Sequence, residues 1–245
     1  MFYFLFYEFI LYQTIVTMIS INDIKTSDPL SKQSDHGLDT MQGQTPFDPP
    51  EARQAEKKQQ LPEENLPEII RQLVEEHRFA LSNIDLFEEA LITFRNATYQ
   101  HTEQTNNVFS HFFKYFDQHL LAHNEKEDKV LFPLLEEKLL ESGEHSTAEI
   151  PSTAIDVMQD DHVRFIQLGA LTFNLLGIAT RISDENSRIF VCENAYHTGR
   201  ELIELLKLHI YREDHTLFPL ACQLISSQEF GAMEPKCRRF QTDNN

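Results

Sequence analysis

Tryptophan is absent from the 245 residues, and glycine occurs only seven times. That scarcity leaves few sites for tight positive-φ turns and fits a helical chain. No stretch alternates apolar and polar residues in the manner of a half-buried strand. Cysteine is scarce too. Cys192, Cys222 and Cys237 form no C-x-x-C pair, and an odd count without metal spacing points to reduced thiols in a reducing cytoplasm. Basic charge is in short supply: 21 Lys and Arg stand against 39 Asp and Glu, a formal net charge of -18. A balance this acidic argues against nucleic acid as a partner, because phosphate repulsion would have to be overcome.

The one long apolar stretch is Met1–Ile21, rich in Phe, Tyr, Leu and Ile. It has no Lys or Arg before Lys25, so it lacks the basic flank of a signal peptide, and it shows no A-x-A-like cleavage site. As a spanning helix it is close to the minimum length and carries Glu8 and Gln13, both unfavourable in hydrocarbon. Three readings stand: a membrane or export role, against which the sequence argues; translation starting at Met18; or a disordered or loosely docked terminus. From Ile21 to about Gln60 the chain is poor in apolar residues and contains Pro49-Pro50, the composition of a disordered leader. Residues 1–64 are therefore set apart from an ordered domain over 65–226 and a polar tail over 227–245.

Within 65–226 one pattern is written twice. His123-Asn-Glu-Lys-Glu127 runs on to Leu131-Phe132-Pro133, and His209-Ile-Tyr-Arg-Glu213 runs on to Leu217-Phe218-Pro219, 86 residues later. A lone histidine behind two acids precedes each copy: His77 after Glu75-Glu76 and His162 after Asp160-Asp161, at intervals of 46 and 47 residues. On an α-helix, positions four apart point the same way within about 40°. His123 with Glu127, and His209 with Glu213, therefore converge one turn apart. Four imidazoles and two carboxylates aimed at one spot make a site for a borderline transition ion. Calcium and magnesium would want oxygens only, and structural zinc four ligands, often thiolates.

Helical periodicity places these residues on four apolar stripes. The first helix is expected from Asn65, as N-cap, to about Arg95, with Leu73, His77, Leu81, Ile84 and Leu91 inward. The second is expected from about Gln104 to Leu140, with Phe109, Phe112, Phe116, Leu120, His123, Glu127, Leu131 and Leu134 inward. Pro133 and, in the fourth helix, Pro219 are read as tolerated kinks. Thr153-Ala-Ile-Asp156 is a capping box opening a third helix to about Ile182, with Met158, His162, Phe165, Gly169, Phe173 and Leu176 inward. The fourth runs from about Ser187 to Leu224. The expected architecture is an all-α, up-down-up-down four-helix bundle whose ligands project into its core, behind a disordered N-terminal leader. Glu76 and Asp161 are candidates to orient imidazoles or to attract ions. His119 is read as a rim histidine, with a role as alternative ligand left open. His101, His111, His145, His197 and His215 are read as surface.

On the doubled His-xxx-Glu…Leu-Phe-Pro motif and the two acid-flanked lone histidines, the chain resembles the hemerythrin-like (HHE cation-binding) domain family from about Asn65 to Ser226. The resemblance implies a non-haem di-iron centre with His77, His123, Glu127, His162, His209 and Glu213 as ligands. The donor count agrees: each of two iron ions takes two imidazoles, both glutamates bridge, and a solvent-derived oxo or hydroxo bridge leaves one open position per iron. The implied partner is a small diatomic or peroxide species: O₂, NO or peroxide. The chain departs from the oxygen-carrying members, which have His-xxx-His on the third helix, whereas Met158 and Ile166 flank His162 here. Those members also use an Asp five residues after the fourth-helix His; Asp214 holds that place, but the internal repeat favours Glu213. The symmetric four-histidine set looks more like the bacterial di-iron proteins that repair iron–sulfur centres, although their N-terminal Cys pair is missing. The expected function is thus reaction with, or sensing of, a small oxidant in the cytoplasm, in iron–sulfur-centre repair or iron handling under stress. The alternative is a reversible O₂- or iron-binding sensor or carrier without catalysis.

Overall fold

The computed structural model describes residues 66–242, with side chains for 66–237. The Asn65 cap, the leader and the apolar Met1–Ile21 lie outside the described residues. Among the described residues all regular structure is helical, and no helix is long and apolar enough to cross a membrane.

Helix α1 spans Glu68–Asn96. Its N-cap is Pro67, which offers no side-chain cap, and Glu68 in the first turn complements the exposed N–H groups. Its apolar stripe is buried through Ile70, Leu73, Ile84, Phe87, Leu91 and Phe94, with His77 among them. The polar connection that follows conceals a capping box. Thr102 Oγ1 accepts from Thr105 N at 3.1 Å, and the Thr102 N–H donates to Thr105 Oγ1, starting α2 at Glu103.

The second rod of the bundle is not one regular helix. Segments α2 (Glu103–Tyr115), α3 (Leu121–Lys126) and α4 (Phe132–Ser142) are separated by π-helical turns at Phe116–Leu120 and Glu127–Leu131. The second π turn closes with the Phe132 N–H donating to the Glu127 carbonyl, five residues back. Pro133 then falls in the first turn of α4, where a missing N–H costs little. The distortion thus precedes the proline instead of sitting at it. The fourth rod repeats the device: α6 (Glu185–Arg212) passes through a π turn at Glu213–Leu217 into α7 (Phe218–Leu224), with Pro219 in its first turn. Gly143 ends α4 with φ +83°, a left-handed conformation that releases the chain toward the third rod.

Helix α5 covers Ala154–Ala179 behind the expected capping box, in which the Thr153 N–H donates to Asp156 Oδ2 at 2.7 Å. Its buried stripe is Met158, His162, Phe165, Gly169, Thr172 and Leu176. Phe173, expected inward, is 57% exposed, because Thr172 holds the inward register and the next residue turns about 100° away. Ile166 is likewise 51% exposed.

The rods alternate in direction. Glu88 pairs with Arg200 and Arg95 with Glu193, so α1 and α6 are antiparallel; Thr172 bonds Thr198 across α5 and α6. Away from the histidines the core is aromatic, with Phe87 and Phe112 stacked at 3.9 Å. At Gly169 the rods approach so closely that an added Cβ would lie 2.8 Å from the Phe116 ring. The stretch after Ser226, read as a polar tail, forms α8 (Ser227–Thr242), which packs against α1, α3 and the second π turn. Its Phe230, Met233 and Cys237 are buried, a helical stripe that an average over a polar segment hides.

Candidate metal centre

The repeat and the lone histidines meet in the middle of the bundle. His77 comes from α1, His123 from α3, His162 from α5 and His209 from α6; Glu127 and Glu213 open the second and third π turns. All six are buried, the two glutamates with no exposure at all. Two donor groups result: His77, His123, Glu127 and Glu213; and His162, His209, Glu127 and Glu213. Within each, the donor atoms lie within 4.8 Å of one another.

Both glutamates belong to both groups. Glu127 presents Oε1 3.4 Å from His123 Nε2 and Oε2 3.5 Å from His162 Nε2. Glu213 presents Oε1 3.3 Å from His209 Nε2 and Oε2 3.1 Å from His77 Nε2. Within each histidine pair the Nε2 atoms are close, 3.0 Å for His77 and His123 and 3.1 Å for His162 and His209.

The outer nitrogen of every imidazole faces an acid. His123 Nδ1 lies 2.7 Å from Glu76 and His209 Nδ1 3.3 Å from Asp161, so the acids before the lone histidines serve the paired histidines of the neighbouring rod. His77 Nδ1 lies 2.7 Å from Asp214, and His162 Nδ1 3.2 Å from both oxygens of Asp128. With the Nδ1–H donating outward, each Nε2 keeps its lone pair for the centre. The sequence reading proposed Glu76 and Asp161 but missed Asp128 and Asp214. Their signal was present: both directly follow a motif glutamate. The phenylalanine of each Leu-Phe-Pro also has a place. Phe218 stacks on His77 at 5.4 Å and Phe132 on His162 at 5.7 Å, each holding the lone imidazole of the other half.

Electrostatics follow from this packing. Burial alone would strip protons from the imidazoles, but the carboxylates facing them prevail. Asp214 and Glu213 raise His77 to about 10; Glu127 and Glu76 raise His123 to about 9; Glu213 and Asp161 raise His209 to about 9. Burial pushes Glu213 upward, yet His209 and His77 hold it well below the usual carboxylate range.

The carboxylates fit a cation. All four side-chain oxygens of Glu127 and Glu213 are buried without a hydrogen-bond partner. Carboxylates so buried need positive charge beside them, which protonated imidazoles supply in part and a metal ion between the oxygens and the Nε2 atoms would supply in full. A donor set of imidazole nitrogen and carboxylate oxygen, without sulfur, suits a first-row transition ion and not calcium or magnesium.

Other sequence candidates lie elsewhere. His119 is exposed and stacks on Tyr115 at 5.5 Å, because the buried stripe passes through Phe116, Leu120 and His123 beside it. His111, His145, His197 and His215 are exposed, and His101 is partly buried against Phe94. Asp214 lies outside both donor groups, behind the His77 ring. A narrow cleft reaches the centre beside His77, His123 and His209, walled by Ala80, Leu120, Phe165 and Leu206.

No curated protein and no solved structure shows a significant match to the chain. A family model, described as the hemerythrin HHE cation-binding domain, matches residues 68–221 and so takes in all six buried donors. By that match the chain belongs to the hemerythrin HHE cation-binding domain family.

Proposed function

We propose that the protein is a non-haem di-iron protein that reacts with O₂, NO or peroxide, in iron–sulfur-centre repair or iron handling under stress. The observation that supports this most is the double membership of the glutamates. Each sends one oxygen to the His77/His123 pair and the other to the His162/His209 pair, the arrangement two bridging carboxylates need. In this reading His77 and His123 would hold one iron and His162 and His209 the other, with Glu127 and Glu213 shared between them. Two irons so held would supply a redox pair able to exchange one or two electrons with a small oxidant.

The chain's own groups do the rest. Glu76, Asp128, Asp161 and Asp214 each hold one Nδ1–H, which fixes the ring and leaves its Nε2 aimed at the centre. The cleft beside the centre, lined by Ala80, Leu120, Phe165 and Leu206 together with the polar Glu76, Tyr115 and Asn124, is narrow enough to suit a small molecule. Fully buried Met158 brings no third nitrogen to the His162 side, which favours shared electron transfer over O₂ held reversibly at one ion. Free Cys192, Cys222 and Cys237 fit the reducing cytoplasm proposed as its location.

The test is to load the protein anaerobically with ferrous iron, count the metal, and follow the visible spectrum on exposure to O₂. Two irons per chain and rapid irreversible oxidation are expected. An oxygenated form that releases O₂ under vacuum with the iron still ferrous would replace this reading with a carrier or sensor. A content well below one iron per chain would remove the metal assignment.

A further inference from the structure

The internal repeat is unequal where it meets charge. In the first half, Glu76 is held at both ends. Its Oε2 accepts from His123 Nδ1 at 2.7 Å, and its Oε1 accepts from Lys126 Nζ at 2.5 Å. Lys126 is 5% exposed, a rare state for a lysine. Arg212 is its counterpart, three residues after His209 as Lys126 is three after His123. There the contacts are longer and compete: His209 Nδ1 at 3.3 Å and Arg212 at 3.4 Å approach the same Oδ2 of Asp161. The lone histidines repeat the difference, with His77 2.7 Å from Asp214 and His162 3.2 Å from Asp128. Helix α8 packs on α3, the segment that carries Lys126.

We propose that Lys126 is a positioning residue that clamps Glu76 against His123 and makes the His77/His123 end the tighter of the two metal positions. The inference rests on the di-iron reading above. A buried ammonium has little reason to be here unless the carboxylate it neutralises must stay ionised and fixed. Glu76 is that carboxylate: one oxygen faces His123 Nδ1 and the other Lys126 Nζ. Fixing one oxygen on Lys126 leaves the other no freedom to leave the His123 Nδ1–H. That orientation secures the Nε2 lone pair, a form of support whose removal typically lowers metal affinity about 10–100-fold. Asp161, shared at a single oxygen, gives His209 a looser hold.

The experiment is an anaerobic challenge of the ferrous-loaded full chain with excess ferrous chelator, followed by absorbance, with Mössbauer spectra of the same samples. Wild type should release two irons in two phases of equal amplitude and show two quadrupole doublets. Lys126→Met should accelerate the slow phase about 10–100-fold and shift one doublet. Lys126→Arg should restore both, and Arg212→Met should act on the fast phase. If Lys126→Met does not fold, Glu76→Gln removes the same charge contact at nearly constant shape and should affect the same phase. Two irons lost in a single phase, or equal acceleration of both phases by Lys126→Met, would overturn the inference and leave the di-iron reading intact. Fewer than one iron in the loaded wild type would take both down.

Discussion

Loading the centre with metal must expel protons, and their number can be counted from the site. Carboxylates raise His77 to about 10 and His123 and His209 to about 9. His77 and His123 bring their Nε2 atoms within 3.0 Å, so one of the two must accept there; that pair holds one extra proton at pH 7, and His209 holds another. A metal ion requires each Nε2 as a lone pair, so filling both positions at pH 7 displaces about two protons. Each displaced proton makes the overall binding constant rise tenfold per pH unit, so two give about a hundredfold per unit from pH 6.5 to 8.5. The slope flattens as pH passes the folded-state values. The metal-free fold responds in the opposite sense. These imidazoles have folded pKa values above their ordinary 6.5, so their stabilisation is complete below that pH and is lost as pH rises through 9 to 10. Metal-free protein should therefore unfold at lower denaturant as pH increases across this window, while the gap to the loaded protein widens. Anaerobic calorimetry with ferrous ion, in two buffers of different ionisation enthalpy, measures the protons released. Release of fewer than one proton per chain, or an affinity unchanged between pH 6.5 and 8.5, would refute the argument that carboxylates hold the empty cluster protonated.

Further outcomes are expected for single substitutions. His123→Ala and His209→Ala each remove one of two imidazoles from one donor group, and metal analysis after loading should show about one ion fewer per chain. Gly169→Ala drives a methyl to 2.8 Å from Phe116, an overpacking of about 1–3 kcal/mol that exceeds or cancels the helix-propensity gain. Gly177→Ala, with nothing within 4 Å, should stabilise the fold by up to about 1 kcal/mol in urea titration. Met158→His places a nitrogen on the buried stripe one turn before His162 and should change the visible spectrum of the iron-loaded protein. Ile166→His lies on the 51% exposed face and should leave that spectrum unchanged.

The donor constellation was legible because it is written twice at matched spacing, and a helix converts spacing into direction. The capping box at Thr153 was legible for the same local reason. What could not be read depends on backbone hydrogen bonding or on partners distant in sequence. The π turns at Glu127 and Glu213 leave no signature beyond a nearby proline, which by itself suggests only a kink. Asp128 and Asp214 look like ordinary helical acids until α5 and α1 are packed beside them. Phe173, expected inward, faces out because Gly169 and Thr172 set the register of that helix. Helix α8 is hidden in the sequence because Phe230, Met233 and Cys237, its buried residues among those whose side chains are described, stand in a segment of low mean hydropathy.

The crossed contacts have a consequence for assembly. Asp128 and Phe132, from the first half of the repeat, secure His162 of the second; Asp214 and Phe218 return the service to His77. Each half alone carries two histidines and one glutamate, but neither carries the groups that aim its own lone histidine. A nascent chain with only its first two rods formed would therefore present a poor trap for metal. If the centre takes metal as proposed, capture would begin when the last rod docks, so a filled centre would mark a finished bundle, and a truncated or mispaired chain would compete weakly for the ion.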